Sequence, residues 1–61
     1  PLTRDERRIL DILADGPLNI DELLHLSEYT FGHLHSVLLS LTMKHQIEPL
    51  PGSVYQLRAM R

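Results

Sequence analysis

Apolar residues recur along this chain at helical spacing as far as His45, and from Ile47 the spacing changes. The first helix is announced by Thr3 and Glu6, a capping-box pair whose side chains satisfy each other's orphan backbone donors. Ile9, Leu10, Ile12 and Leu13 supply its apolar stripe, leaving Arg7, Arg8 and Asp11 for solvent, and Asp15-Gly16-Pro17 stops it. Asn19 and Glu22 repeat the capping spacing ahead of a short helix bearing Ile20, Leu23, Leu24 and Leu26. Ser27-Glu28-Tyr29 reads as a tight turn, with Thr30 as the next N-cap. The third helix, Phe31 to about His45, is the longest. Phe31, Leu34, Val37, Leu38 and Leu41 share an arc of roughly 120°, the width of a core-facing stripe. His33, Ser36, Ser40 and Lys44 are read as the opposite, hydrophilic side. Leu39 and Met43 fall off the stripe, so this helix is expected to be covered on more than one side.

Residues 47–57 read as a β-hairpin. Pro51-Gly52-Ser53 is the turn, Val54-Tyr55-Gln56-Leu57 is a β-branched and aromatic run, and Pro49 requires an edge position where its missing donor costs no ladder bond. Three helices followed by a hairpin predict a mainly α, winged helix-turn-helix fold with a C-terminal β-hairpin wing. A plain three-helix bundle is the competing architecture, and the Pro-Gly turn between two strand-like runs favours the wing.

Composition narrows the function classes. A chain of 61 residues has room for one core and no deep cleft, which argues against an independent enzyme. It is expected to be a single domain over 1–61, and an excised piece of a longer protein because it starts at Pro1. The absence of cysteine excludes a disulfide framework and a thiolate zinc site, and fits a reducing cytoplasm. No apolar run approaches the roughly 18 residues of a membrane span, no signal peptide is visible, and neither a membrane nor a small-molecule substrate is expected as a partner.

Certain stretches then carry a resemblance. Ile9-Leu10-Asp11-Ile12-Leu13, Gly16-Pro17 followed by Ile20-Asp21-Glu22-Leu23, Val37-Leu38-Leu39-Ser40-Leu41, and a Leu50-Pro51-Gly52 ending with Tyr55 resemble the C-terminal winged-helix domain of the DNA-processing protein A (DprA/Smf) family. The likeness runs from about Thr3 to Arg58. The family often has glycine where Glu28 and His45 stand, acidic residues at the places of Ser40 and Thr42, and a basic residue near Val54. The resemblance implies a bacterial cytoplasmic protein of natural transformation, whose parent binds incoming single-stranded DNA and helps load RecA. The main DNA-binding and self-association surfaces would then belong to a central Rossmann-like domain, and this domain would be an accessory.

Charge bears on whether the domain itself touches DNA. The net charge is −2, whereas phosphate neutralisation dominates nucleic-acid affinity, so tight binding is not expected. The distribution is uneven. Residues 1–28 hold three arginines and seven acids, and residues 29–61 hold Lys44, Arg58 and Arg61 against Glu48 alone. The third helix is therefore the least anion-repelling element. Thr30, His33, Ser36, Ser40 and Lys44 are the nucleic-acid-facing candidates, the first at a helix N-terminus that favours anions. No Arg or Asn stands on this helix to read a base edge, so weak, non-specific binding is the expectation. Arg4, Arg7, Arg8, Arg58 and Arg61 are read mainly as solvated surface charge, the first three interleaved with acids.

Other chemistry finds little support. His33 and His35 diverge by about 160° on a helix, and His25 and His45 come from other segments, so no metal site and no cofactor is expected. Protonating these imidazoles should instead strengthen anion binding. Ser27, Ser36, Ser40 and Ser53 lack a base-and-orienter pair for nucleophilic catalysis. Tyr29, Phe31 and Tyr55 are spaced like core and wing residues. The competing function is protein docking: Leu39, Met43, Leu50 and Val54 could form one apolar patch for a partner or for the parent's central domain, unless the first helix and the hairpin cover them. A transcription regulator is disfavoured by the poorly basic third helix.

Overall fold

The computed structural model describes residues 1–58. The elements are α1 (Arg4–Leu13), β1 (Leu18–Asn19), α2 (Ile20–Ser27), α3 (Phe31–Met43), β2 (Ile47–Leu50) and β3 (Val54–Leu57). Three helices and a small antiparallel sheet ordered β1-β3-β2 make a winged helix.

Each helix begins where its cap residue dictates. Thr3 accepts from the Glu6 N–H at 3.1 Å while Glu6 accepts from the Thr3 N–H at 2.8 Å, and Asn19 and Glu22 exchange the same pair of bonds at 2.9 Å. Thr30 caps α3 by accepting from the His33 N–H at 3.2 Å. The helix ends are less conventional. Glu28 closes α2 at φ 62° and His45 follows α3 at φ 61°, both in the left-handed region. At α3 the Gln46 N–H donates to Leu41 and the His45 N–H to Thr42, each at 3.0 Å. That is a Schellman motif, whose left-handed residue is usually glycine. The helix stops at Met43, two residues short of the expected end.

The wing is a hairpin with one strand more than expected. Ile47 pairs with Leu57, Pro49 with Tyr55, and Leu50 with Val54. β2 is an edge strand, so Pro49 interrupts nothing. On the far side of β3, Leu18 pairs with Tyr55 and Asn19 with Val54. The Ile20 N–H also donates to the Ser53 carbonyl at 3.0 Å. Two residues carry no detectable period, so β1 leaves no mark in the sequence; only β3 arriving alongside makes it a strand.

The core is Ile9 and Leu13 of α1, Leu23 of α2, Leu34, Val37, Leu38 and Leu41 of α3, and Ile47 of β2. Phe31 corrects the sequence reading. It stands at the first position of α3 and is 60% exposed, and its ring lies on His35 with centroids 4.2 Å apart. Leu39 and Met43 are a second correction: no element covers them, and they are 63% and 71% exposed. Among the described residues, no helix is long and apolar enough to cross a membrane.

Candidate functional site

The residues proposed from sequence lie on α3, and what faces each of them decides what they can do. Measured round the helix at about 100° per residue, the direction opposite the buried arc runs through Gly32, Ser36, Leu39 and Met43. His33, Ser40 and Lys44 sit on the flank instead, and that flank meets the first turn of α1. His33 and Lys44 remain exposed on this flank and Ser40 is half-buried there: the amphipathic pattern locates the core direction, and α1 occupies one shoulder of the helix.

Glu6 is the centre of that contact. It is buried, yet both carboxylate oxygens are satisfied. Oε1 accepts from Lys44 Nζ at 2.8 Å as well as from the Thr3 N–H, and Oε2 accepts from the Ser40 hydroxyl. Lys44 Nζ also donates to the Pro1 carbonyl at 3.2 Å. The Lys44 ammonium, the Ser40 hydroxyl and the Thr3 N–H together hold the Glu6 carboxyl at a pKa of about 2, against an opposing pull from burial. A second contact lies about two turns before Ser40, towards the N-terminus of α3. His33 Nε2 is 2.8 Å from Asp5 Oδ2, and the Tyr29 hydroxyl donates to Asp5 Oδ1 at 3.2 Å. The Tyr29 and His33 rings meet edge to face, 4.6 Å between centroids. Burial, and then the bond to Asp5, push the Tyr29 hydroxyl pKa up.

The arginines are likewise not all free surface charge. Arg8 donates to the Ser27 carbonyl at 3.3 Å and lies 5.8 Å from the Tyr29 ring centroid, so it ties α1 to the end of α2. Arg58 Nη1 is 3.1 Å from His45 Nδ1. Arg61 falls outside the described residues.

Thr30 spends its hydroxyl oxygen on capping, and Ser36 remains exposed. Beside Ser36 the outer face of α3 is apolar. Leu39 and Met43 flank a shallow depression together with Ser36, Ser40 and Lys44, and Leu39 also lines an adjoining groove against Pro49 and Tyr55 of the wing. The proposed four-residue patch is thus only half assembled here. Leu50 and Val54 are half-buried and face each other across the hairpin, while Pro49 and Tyr55 stand where the wing meets α3. The sequence signal for those two was available in the strand alternation, but it needed the register to be used. Among the described residues no three His, Asp or Glu side chains converge on a metal position; His33 turns to Asp5 and His35 to Phe31.

A comparison with curated proteins returned no match, nor did one with solved structures. A family model does match. The capped α1, the Gly16-Pro17 stop before α2, the three-residue turn into α3 and the wing turn all lie within residues 1–53, the stretch that the model of the DprA winged helix domain matches, and the chain belongs to that family.

Proposed function

We infer that this chain is a non-enzymatic accessory domain of a DprA-type DNA-processing protein, and that its own contribution is protein docking through the outer face of α3. The setting implied by family membership is cytoplasmic handling of transforming DNA, with single-stranded DNA binding and RecA loading carried by the parent. One observation carries the choice between docking and DNA binding. His33, Ser40 and Lys44 of α3 are engaged by Asp5 and Glu6, whereas Leu39 and Met43 stand uncovered on its outward side. A phosphate approaching Lys44 meets an ammonium already neutralised by a carboxylate 2.8 Å away, and counterion release, the main source of nucleic-acid affinity, is correspondingly small.

The nucleic-acid reading retains one observation in its favour: no acid stands between Tyr29 and Ile47. Amide shifts separate the two. The chain is titrated at low salt with single-stranded DNA, with double-stranded DNA, and with the central domain of a DprA-type protein. Docking is supported by shifts at Leu39 and Met43 with the protein and little change with either DNA. Salt-sensitive shifts at Thr30, His33, Ser36 and Lys44 on adding DNA would overturn it.

A further inference from the structure

Lys44, the one lysine of the sequence, joins three parts of the fold that lie far apart along the chain. It is the C-cap of α3, and from it the chain passes through the left-handed His45 into β2. Its Nζ donates to Glu6 in the first turn of α1 at 2.8 Å and to the Pro1 carbonyl at 3.2 Å, so the lead-in Pro1–Thr3 is strapped to the end of α3. Thr3 gives its N–H to the same carboxylate oxygen that receives Lys44, and Leu2 packs half-buried against the core. The two charges are unequally placed. Glu6 is 3% exposed, whereas the Lys44 side chain keeps 40% of its surface in solvent.

We propose that Lys44 is a charge-operated latch on the Pro1–Thr3 lead-in, and that acylation of its Nζ opens it. Unequal burial sets the direction of the effect. Removing one partner of a buried ion pair leaves the other charge uncompensated, which is strongly destabilising. Here the reachable partner is the amine and the stranded one is the buried carboxylate. An acyl group removes the ammonium charge and leaves one N–H where three donors stood. With an activated ester or thioester as donor, Nζ gives one proton to solvent and its lone pair forms the new C–N bond as the C–O or C–S bond breaks. A second Nζ proton passes to the departing oxygen or sulfur. Glu6 then keeps the Thr3 N–H and the Ser40 hydroxyl as donors, and neither carries charge. The carboxylate regains hydration only when a neighbour moves aside. α1 is held further along by Ile9 and Leu13 in the core, and α3 by Leu34, Val37, Leu38 and Leu41. The lead-in has only the half-buried Leu2 to hold it once Lys44 lets go of Pro1. It therefore lifts, and the first turn of α1 loosens with it.

Amide hydrogen exchange of the 61-residue chain, read at Thr3 and Glu6 against Leu38 in the middle of α3, tests this. Acetylation with N-hydroxysuccinimidyl acetate and the substitution Lys44→Gln each speed exchange at Thr3 and Glu6 at least about tenfold relative to Leu38. In both, the Glu6 carboxyl, followed by its carbon-13 shift, titrates closer to 4.5 than to 2. Lys44→Arg keeps the charge and is protected like wild type; treated with the same reagent, it shows what acetylation of the terminal amine does alone. Should Lys44→Gln unfold outright, the Glu6→Gln/Lys44→Gln variant folds again with fast exchange at Thr3, because no unpaired carboxylate is left in the contact. The proposal is overturned by an acetylated chain that protects Thr3 and Glu6 as wild type does. It is equally overturned by a Lys44→Arg variant that exchanges as fast as Lys44→Gln, or by a double variant as unfolded as the single one.

Discussion

Glu6 shows how one residue serves two structural tasks. Its place three positions after Thr3 identifies it as half of a capping box, and that role is local and legible. Its second role, receiving Ser40 and Lys44 from 34 and 38 residues along the chain, depends on α3 lying across α1. No spacing rule reports such a contact. Its consequence is a measurable acid response. The folded carboxyl titrates at about 2 against an ordinary 4.5, and a depressed carboxyl contributes stability that is complete above its unfolded pKa and is lost as pH falls through the folded one. The melting temperature of the wild type should therefore fall more steeply than that of Glu6→Gln between pH 4.5 and pH 2, with Glu6→Gln the less stable at neutral pH. Melts followed by circular dichroism across that window check it; parallel curves would show that another group is responding. His45 makes a smaller, opposite case. At φ 61° a residue with a Cβ costs about 1 kcal/mol in the left-handed region, part of which glycine gives back as chain entropy. Replacing His45 with Gly should raise stability by about 0.5 kcal/mol, or about 2–4 °C in a domain of this size. A lowered melting temperature would instead show that the Arg58 contact outweighs the backbone strain.

Among the elements, helices were more legible than strands, and their buried sides more legible than their exposed ones. The α3 stripe picks out Leu34, Val37, Leu38 and Leu41 because burial on a helix obeys its own period. Phe31 shares the arc but lies at the first position of the helix, where no neighbouring element reaches it. The two are separable by experiment. Leu34→Ala opens a cavity costing about 2–5 kcal/mol, comparable with the roughly 3–5 kcal/mol that a single small core supplies, so that variant should be largely unfolded at room temperature. Phe31→Ala should change stability by less than about 1 kcal/mol, in line with surface substitutions. Urea titrations of both decide it, and a Phe31→Ala loss as large as that of Leu34→Ala would mean the ring is covered in solution. The β2–β3 hairpin was legible through its Pro-Gly turn, whereas β1 was not, because its pairing with Tyr55 and Val54 is supplied wholly by the partner strand.

For the molecule as a whole, the weak net charge conceals an internal arrangement. α1 turns two acids towards α3 and engages His33, Ser40 and Lys44, while Asp21, Glu22 and Glu28 lie on or at the end of α2 and Leu39 and Met43 are left open on the outward side of α3. The proposed docking role rests on that arrangement and not on the totals. What the sequence by itself determined is whatever depends on near neighbours: the three helix starts, the stops at Gly16 and after Ser27, the stripe that faces the core, the hairpin and its edge proline, and with them the winged-helix architecture. Capping and periodicity are short-range, with geometry set by the backbone alone. Tertiary structure alone decided which shoulder of α3 meets α1, that Lys44 would be bound to Glu6, that β1 would exist, and that Leu39 and Met43 would remain uncovered while Leu50 and Val54 faced each other. Those outcomes depend on how packed elements divide one small volume, where a side chain's neighbours come from distant parts of the chain and only the assembled core fixes which of them it meets.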